Sequence, residues 1–319
     1  MPEWLFSIGA PLLLATTASG TVASETVVDH AAPETPPDAE IIDMERERYR
    51  RLTVPVSIQG QGPFQFMIDT GAQATVLSHE LAEQLALYDR KPATLVGMAS
   101  SKPIETVMVE DFTIGSRNLT IRTAPLVPRA NIGSAYGILG LDSLQDQRVL
   151  LDFTENTIAV ADADELGGNS GYEIVVRAKR KLGQLIIARA RIDGIRVAVI
   201  VDTGAQGSVG NLALQEKLRS ASMGVVQMTD VNGHQMDGDV KIGKNLEIGR
   251  VQLSSFPIVF AESPPFEALG LHDEPALILG LSELKLFRRV AIDFKSNRIL
   301  FDVPRDVSRE MRRQNFRNM

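Results

Sequence analysis

The sequence predicts an all-β protein built from two related halves. The stretch Asp-Thr-Gly-Ala occurs twice, at residues 69–72 and 202–205, and each copy follows an apolar, strand-like run. Short alternating runs separated by Gly, Pro and Asp turns fill most of the remaining chain, which is typical of a β-barrel or a β-sandwich. Because the two copies lie 133 residues apart in the same local setting, they indicate an internal duplication.

Composition narrows the class of protein. The chain has 319 residues, enough for two domains with their own cores. Its net charge of −7 gives no electrostatic reason to expect a nucleic-acid partner. The absence of cysteine excludes disulfides and thiolate metal sites, and the four histidines are scattered without a metal-binding spacing. We therefore expect no cofactor and no metal.

Residues 1–23 are predicted to be a signal peptide. The apolar run Trp4–Thr16 is too short for a comfortable transmembrane helix, and small residues suited to cleavage follow it. This predicts an exported protein, periplasmic or secreted, with no stable membrane span after processing. Glu3 and the lack of Lys or Arg before the apolar run leave an uncleaved anchor or a misplaced start codon open. Residues 24–44 have little to bury and are predicted to be a disordered tether.

The first folded half is predicted to cover residues 45–163. Arg51–Ile58 alternates and contains β-branched residues, so it is predicted to be a strand, and Pro55 suggests that this strand lies at a sheet edge. After a Gly-rich turn, Phe64–Ile68 is predicted to return as the strand that leads into the first Asp turn. The half ends in a predicted hairpin over 149–160.

Short helices are predicted after the Asp turn and after the run Ile138–Leu141. Ser78 is a candidate N-cap for the first helix, and Asp142 can cap the second. Between them the sequence predicts three further strands, at 94–98, 106–114 and 119–127.

The second half repeats this order. A polar, Gly-rich linker at 164–171 precedes it, and residues 172–304 contain the second Asp turn, a helix capped by Asn211 and a second Ile-Leu-Gly-Leu run. The offset between the halves grows from 133 to 140, mostly through a Pro-rich loop near 262–274. Residues 305–319 carry five arginines and are predicted to be a basic, solvated tail.

Each half contains one carboxylate on a rigid turn, and neither half shows another recognisable group of catalytic residues. Two related lobes packed about a pseudo-two-fold axis would bring the equivalent turns together, so that Asp69 faces Asp202. Two close carboxylates share one proton and titrate as a pair. The ionised member can take a proton from water while the other protonates a peptide carbonyl. Asp69 and Asp202 are therefore the candidate catalytic residues.

The residues beside each aspartate repeat in both copies and are predicted to support the pair: Thr70, Gly71, Ala72, Thr203, Gly204 and Ala205. The glycines permit a tight turn with close backbone approach. The threonines can hydrogen-bond across the interface between the halves. The alanines put a methyl group where a serine would offer a hydroxyl to the carboxylate, which predicts a less acidic optimum than that of a serine-bearing site.

Asp-Thr-Gly-Ala after an apolar strand, followed later by Ile-Leu-Gly-Leu and a short helix, resembles the retropepsin-like aspartic peptidases. The opening Arg51–Ile58 with Gly-Gln-Gly-Pro-Phe resembles the exported bacterial branch of that family. The resemblance covers residues 51–160 and 185–303, nearly all of the folded chain. It implies two pseudo-two-fold-related, closed-barrel lobes in a bilobal molecule.

The same resemblance implies an aspartic endopeptidase that cleaves extended peptide or protein substrates beneath β-hairpin flaps. Gly97 and Gly233 are the candidate flap tips, by their position after each helix. Because both halves lie in one chain, the resemblance implies a monomer, with a homodimer as the alternative.

Three other interpretations stay open from the sequence. Each Asp could merely cap its own turn as an Asx residue. The fold could be a catalytically silent module that binds an extended peptide by β-augmentation. The two halves could also each pair with another chain, which would give two intermolecular sites in place of one intrachain site.

Overall fold

The structure, a computed structural model, describes residues 5–7 and 53–304. The predicted tether, the predicted basic tail and all of the predicted signal peptide except Leu5–Ser7 lie outside the described residues, and those predictions stay predictions. In the part that is described, no helix has both the length and the apolar character needed to cross a membrane.

Strands dominate the described residues, and the helices are short. The strands, β1 to β21 in chain order, are Leu5–Ser7, Thr53–Ile58, Gln61–Ile68, Val76–Ser78, Arg90–Val96, Ser101–Ile114, Arg117–Val127, Gly137–Leu139, Arg148–Asp152, Thr157–Ala161, Ile174–Arg177, Lys179–Lys181, Gln184–Ile192, Ile195–Val201, Val209–Gly210, Ser222–Thr229, Gln235–Ile248, Val251–Phe260, Ala276–Leu279, Arg289–Asp293 and Arg298–Asp302. The helices, α1 to α5, are His79–Gln84, Leu141–Leu144, Leu212–Lys217, Pro264–Ala268 and Leu281–Leu284, and a 3₁₀ turn spans Arg129–Asn131.

Each half folds into a closed ring of six strands. In the first lobe the order is β6-β2-β3-β8-β4-β7, and β7 pairs with β6 to close the ring. In the second lobe the order is β13-β14-β19-β15-β18-β17, and the ring closes through β13 and β17. Strand β5 extends the first ring as a hairpin with β6, and β16 does the same with β17. The predicted all-β, bilobal architecture is confirmed. Of the two alternatives that the sequence left open, the closed rings show that each half is a barrel and not a sandwich.

A five-stranded antiparallel sheet joins the two lobes, in the order β10-β9-β20-β21-β11. The hairpins that close the two halves meet in it, with β9 paired directly to β20. The side chain of Arg148 on β9 is buried there and contacts Asp293 on β20 at 2.7 Å. Arg148 also donates to Asn169 Oδ1 at 2.7 Å in the segment that links the halves. This shared sheet fixes one lobe against the other.

The prediction that Pro55 marks a sheet edge is wrong, because β2 lies between β3 and β6. Pro55 pairs only with Gln65 of β3, and the pairing with β6 begins one residue later, over Val56–Ile58. The proline therefore sits where no neighbour on the β6 side requires its missing N–H.

Two of the three predicted helix caps are confirmed. Ser78 Oγ accepts from Leu81 N at 3.1 Å, and Asn211 Oδ1 accepts from Leu214 N at 3.0 Å. Asp142 does not cap α2, because that helix begins at Leu141 with Gly140 as its N-cap. The carboxylate of Asp142 instead accepts hydrogen bonds from Thr75, just beyond the first Asp turn.

Candidate active site

The two Asp turns begin where a central strand of each barrel ends. Asp69 follows β3, and its N–H donates to Leu139 O at 3.1 Å. Asp202 follows β14, and its N–H donates to Leu279 O at the same distance. The acceptors lie on β8 and β19, the Ile-Leu-Gly runs, which pair in parallel with β3 and β14. Each turn is therefore anchored on two buried strands.

Four hydrogen bonds between the threonines and the opposite chain segments lock the two turns together. Thr70 N donates to Thr203 Oγ1, and Thr203 N donates to Thr70 Oγ1, both at 3.1 Å. Each hydroxyl donates in turn to a strand-end carbonyl of the other lobe, Val201 O at 2.9 Å and Ile68 O at 2.7 Å. Both side chains are buried, so the reciprocal network stabilises the contact between the lobes.

The glycines of the two turns lie against the opposite carboxyl groups. A methyl group at Gly71 would overlap the carboxyl of Asp202, and one at Gly204 would overlap the carboxyl of Asp69. A side chain at either position would have to displace the opposite carboxyl group. Glycine is therefore required here for close approach of each backbone to the opposite aspartate, in addition to the turn.

Asp69 is completely buried, and its two oxygens have different surroundings. Oδ1 accepts from the N–H groups of Gly71 at 2.8 Å and Ala72 at 2.9 Å. Oδ2 has no donor among the described residues, and a proton held between the two carboxyl groups would supply one. Burial first, then the charge of Asp202 and the hydrogen bond with it, raise the pKa of Asp69 well above its usual value.

Asp202 is 1% exposed and lies within hydrogen-bonding reach of Asp69. Its Oδ1 accepts from Gly204 N at 2.8 Å and from Ala205 N at 3.3 Å. Burial raises the pKa of Asp202, while the hydrogen bond with Asp69 and the neighbouring backbone N–H groups oppose the rise. Because both carboxyls are buried and close together, ionising both is unfavourable, and this arrangement favours one proton shared between them.

Sequence reasoning missed a second pair of residues that braces each turn. Thr75 Oγ1 and Thr75 N donate to Asp142 Oδ1 at 2.6 and 2.9 Å. Burial raises the pKa of Asp142, although the hydrogen bonds from Thr75 act to lower it. In the second lobe Ser208 Oγ donates to Glu283 Oε2. The sequence carries a signal for these contacts. Thr75 and Ser208 are 133 residues apart, the same offset as the two Asp turns, and an acidic residue, Asp142 or Glu283, lies in the short helix of each half.

The candidate flap glycines lie at the tips of two β-hairpins that touch each other. Gly97 is in the turn between β5 and β6, and Gly233 is in the turn between β16 and β17. Ser100 Oγ donates to Asp230 Oδ2 at 2.6 Å, and Asn232 Nδ2 donates to Ser100 Oγ at 3.0 Å. A Cβ at Gly97 would lie 2.5 Å from Asp230 Oδ2, so this glycine makes room for the carboxylate of the opposite tip.

Each hairpin tip also contacts the opposite lobe. The carbonyl of Met98 accepts from Ser263 Oγ of the second lobe at 2.8 Å. The carbonyl of Val231 accepts from Asn131 Nδ2 of the first lobe at 2.8 Å. Met98 and Val231 are themselves buried, within an apolar cluster that includes the alanines of both Asp turns. Each hairpin tip is therefore held against the other tip and against the opposite lobe.

A cavity of about 370 Å³ lies between the first hairpin and the second hairpin tip. Apolar and amide side chains line much of it, including Ile104, Val127, Pro128, Asn131 and Val231. Within residues 5–7 and 53–304, no group of three or more His, Cys, Asp or Glu is arranged to hold a metal ion.

Two family models match this chain, one in each half. Residues 54–146 match the family model described as "gag-polyprotein putative aspartyl protease", and residues 188–282 match the one described as "Aspartyl protease". The two matches contain one Asp turn each and together span more than half of the chain. The chain therefore belongs to the retropepsin-like aspartic proteases, with two tandem domains.

Among solved structures, a retropepsin-like aspartic protease from Rickettsia conorii matches at 16% sequence identity with a TM-score of 0.30. The match covers 41% of this chain and 90% of that chain.

Proposed function

We propose that this chain is an aspartic endopeptidase that hydrolyses extended peptide or protein substrates with water activated by Asp69 and Asp202. The observation that carries the proposal is the contact between these two buried carboxyl groups, one from each lobe. Because a single chain supplies both acids, we propose that the active form is a monomer. The supporting roles of the turn residues follow from their hydrogen bonds and close contacts at the pair.

The chemistry proposed for the pair needs one proton on it at the start. The ionised carboxyl removes a proton from a bound water, whose oxygen attacks the scissile carbonyl carbon. The protonated carboxyl donates its proton to the carbonyl oxygen, which gives a neutral tetrahedral intermediate. Collapse of that intermediate breaks the C–N bond. The departing nitrogen takes up the proton from the pair, and one hydroxyl of the intermediate returns a proton to the pair as the carbonyl re-forms. The carboxylic acid and the amine leave, and one proton again remains on the two aspartates.

Substrate entry requires the hairpin tips to separate, because the carboxyl groups are closed off when the tips touch. The bonds that must break include Ser100 Oγ to Asp230 and Asn131 Nδ2 to Val231 O. An extended peptide would then lie between the hairpins and the Asp turns, and the cavity beside Ile104 and Pro128 is a candidate pocket for one of its apolar side chains.

A peptide-library digest with the purified chain tests the proposal, with and without a statine-type inhibitor. The inhibitor should stop cleavage, and Asp69→Asn and Asp202→Asn should each abolish it. The surface variant Asp89→Asn, at a side chain that is 78% exposed, should leave cleavage unchanged. About half the activity in each single variant would indicate two separate sites. Binding of peptides without cleavage by the wild-type chain would favour the silent module.

A further inference from the structure

Gln184 of the second lobe reaches across the interface to the Asp turn of the first. It lies at the start of β13, is 3% exposed, and its Nε2 donates to Gly71 O at 2.6 Å. The contact fixes the orientation of the amide, because Gly71 O is an acceptor and only the NH₂ end of the side chain can donate to it. Among the described residues, Oε1 of Gln184 has no hydrogen-bond partner.

The carbonyl that Gln184 contacts belongs to the same peptide group that binds the Asp69 carboxylate. The peptide between Gly71 and Ala72 accepts from Gln184 at its oxygen and donates from its N–H to Asp69 Oδ1 at 2.9 Å. Resonance couples the two ends of a peptide group, so a donor at the oxygen makes the N–H a better donor. Gln184 is therefore one peptide group away from the candidate catalytic carboxyl.

The corresponding bond in the second Asp turn is longer. The N–H of Ala205 donates to Asp202 Oδ1 at 3.3 Å, which is longer than the 2.9 Å bond from Ala72. In the part of the chain that the structure describes, Gly204 O receives no side-chain hydrogen bond. The residue 133 positions before Gln184 is Arg51, which lies outside the described residues. The shorter bond occurs in the turn whose peptide oxygen accepts from Gln184.

We propose that Gln184 is a positioning residue for the aspartate pair, which stabilises negative charge on Asp69 through the Gly71–Ala72 peptide. This inference rests on the proposed function. Gln184 does not touch the reacting atoms. Its effect is to hold the peptide N–H aimed at Oδ1 and to strengthen that hydrogen bond, so that the pair reaches its singly ionised form at a lower pH than it would without the amide.

The test compares Gln184→Met with the wild-type chain, because Met has a similar length and volume but no donor. Loss of the donor disfavours the ionised pair, so the acidic limb of the kcat/KM profile should move upward by about half a pH unit. The matched control is Gln147→Met. Gln147 is also buried, and its Nε2 donates to Asp162 Oδ1 at 3.2 Å, outside the Asp turns. This control should lose stability without any shift of the limb.

Two further measurements keep the outcomes separate. If Gln184→Met does not fold, Gln184→Asn, which keeps the amide but is too short to reach Gly71 O, should give the same upward shift. If the wild-type chain does not cleave peptides, the proposed function fails. The inference is then judged by the carboxyl titration of Asp69, followed by ¹³C NMR in the wild-type and variant proteins. An unshifted acidic limb, or an unshifted titration in a folded variant, overturns the role of Gln184.

Discussion

Thr70→Val is the sharpest test of how the two lobes hold the aspartates together. Valine has nearly the same shape as threonine, so the change removes the hydroxyl with little effect on packing. The Thr70 hydroxyl donates to Val201 O at 2.9 Å and accepts from Thr203 N at 3.1 Å, and both partners are buried. Each orphaned buried group costs about 1–2 kcal/mol, so the free energy of unfolding should fall by roughly 2–4 kcal/mol.

Urea unfolding of Thr70→Val, Thr203→Val and the double variant measures this cost. Because the two threonines share one network, the double variant should lose less than the sum of the single losses. Thr120→Val, at an exposed position on β7, is the control and should change stability by less than about 0.5 kcal/mol. A loss in Thr70→Val no larger than that of the control, or strictly additive losses, would refute the structural role of the network.

Three other variants test separate features of the molecule. Because burial raises the pKa of Asp69, the folded chain keeps a proton that the unfolded chain releases above about pH 4. The free energy of unfolding of the wild-type chain should therefore fall relative to that of Asp69→Asn as the pH rises from about 4. A difference between the two that stays constant with pH in urea unfolding would contradict this. Gly97→Ala places a Cβ 2.5 Å from Asp230 Oδ2. If this weakens the contact between the hairpin tips by about 1 kcal/mol, amide hydrogen exchange at the tips should become roughly fivefold faster. Unchanged exchange rates would show that the tips do not depend on this contact. Arg148→Met removes the ion-pair partner of the buried Asp293 carboxylate and should lower the free energy of unfolding by about 3–5 kcal/mol. Part of this loss should be recovered when Asp293 is also replaced by an apolar residue. An unchanged melting temperature in Arg148→Met would argue against a stabilising ion pair.

The features that sequence could predict are local or repeated. An apolar strand that breaks at Asp-Thr-Gly-Ala predicts a carboxylate on a turn, and the second copy predicts its partner by symmetry. The N-caps at Ser78 and Asn211 are likewise local, since each side chain bonds an N–H three residues further along the chain. The closing hairpins could also be predicted from alternation and turn residues.

The features that sequence could not predict depend on contacts between distant segments. Asp142 looked like a helix cap, but Thr75 lies 67 residues earlier and donates to its carboxylate. The five-stranded sheet requires the end of each half to find the other, which no local pattern specifies. The contact between Ser100 and Asp230 depends on how the two lobes are placed, and so does the reach of Gln184 to Gly71.

The state of protonation of the aspartate pair is the most direct test of the central claim. Carboxyl ¹³C NMR of the aspartate-labelled protein at pH 6 measures it, with Asp69→Asn and Asp202→Asn used to assign the two signals. We expect one proton on the pair at this pH, seen as an upfield signal that titrates far above the usual aspartate range and is lost or shifted in either variant. Two fully ionised carboxyls at pH 6, each titrating near pH 4 and unaffected by replacement of the other, would contradict a shared proton.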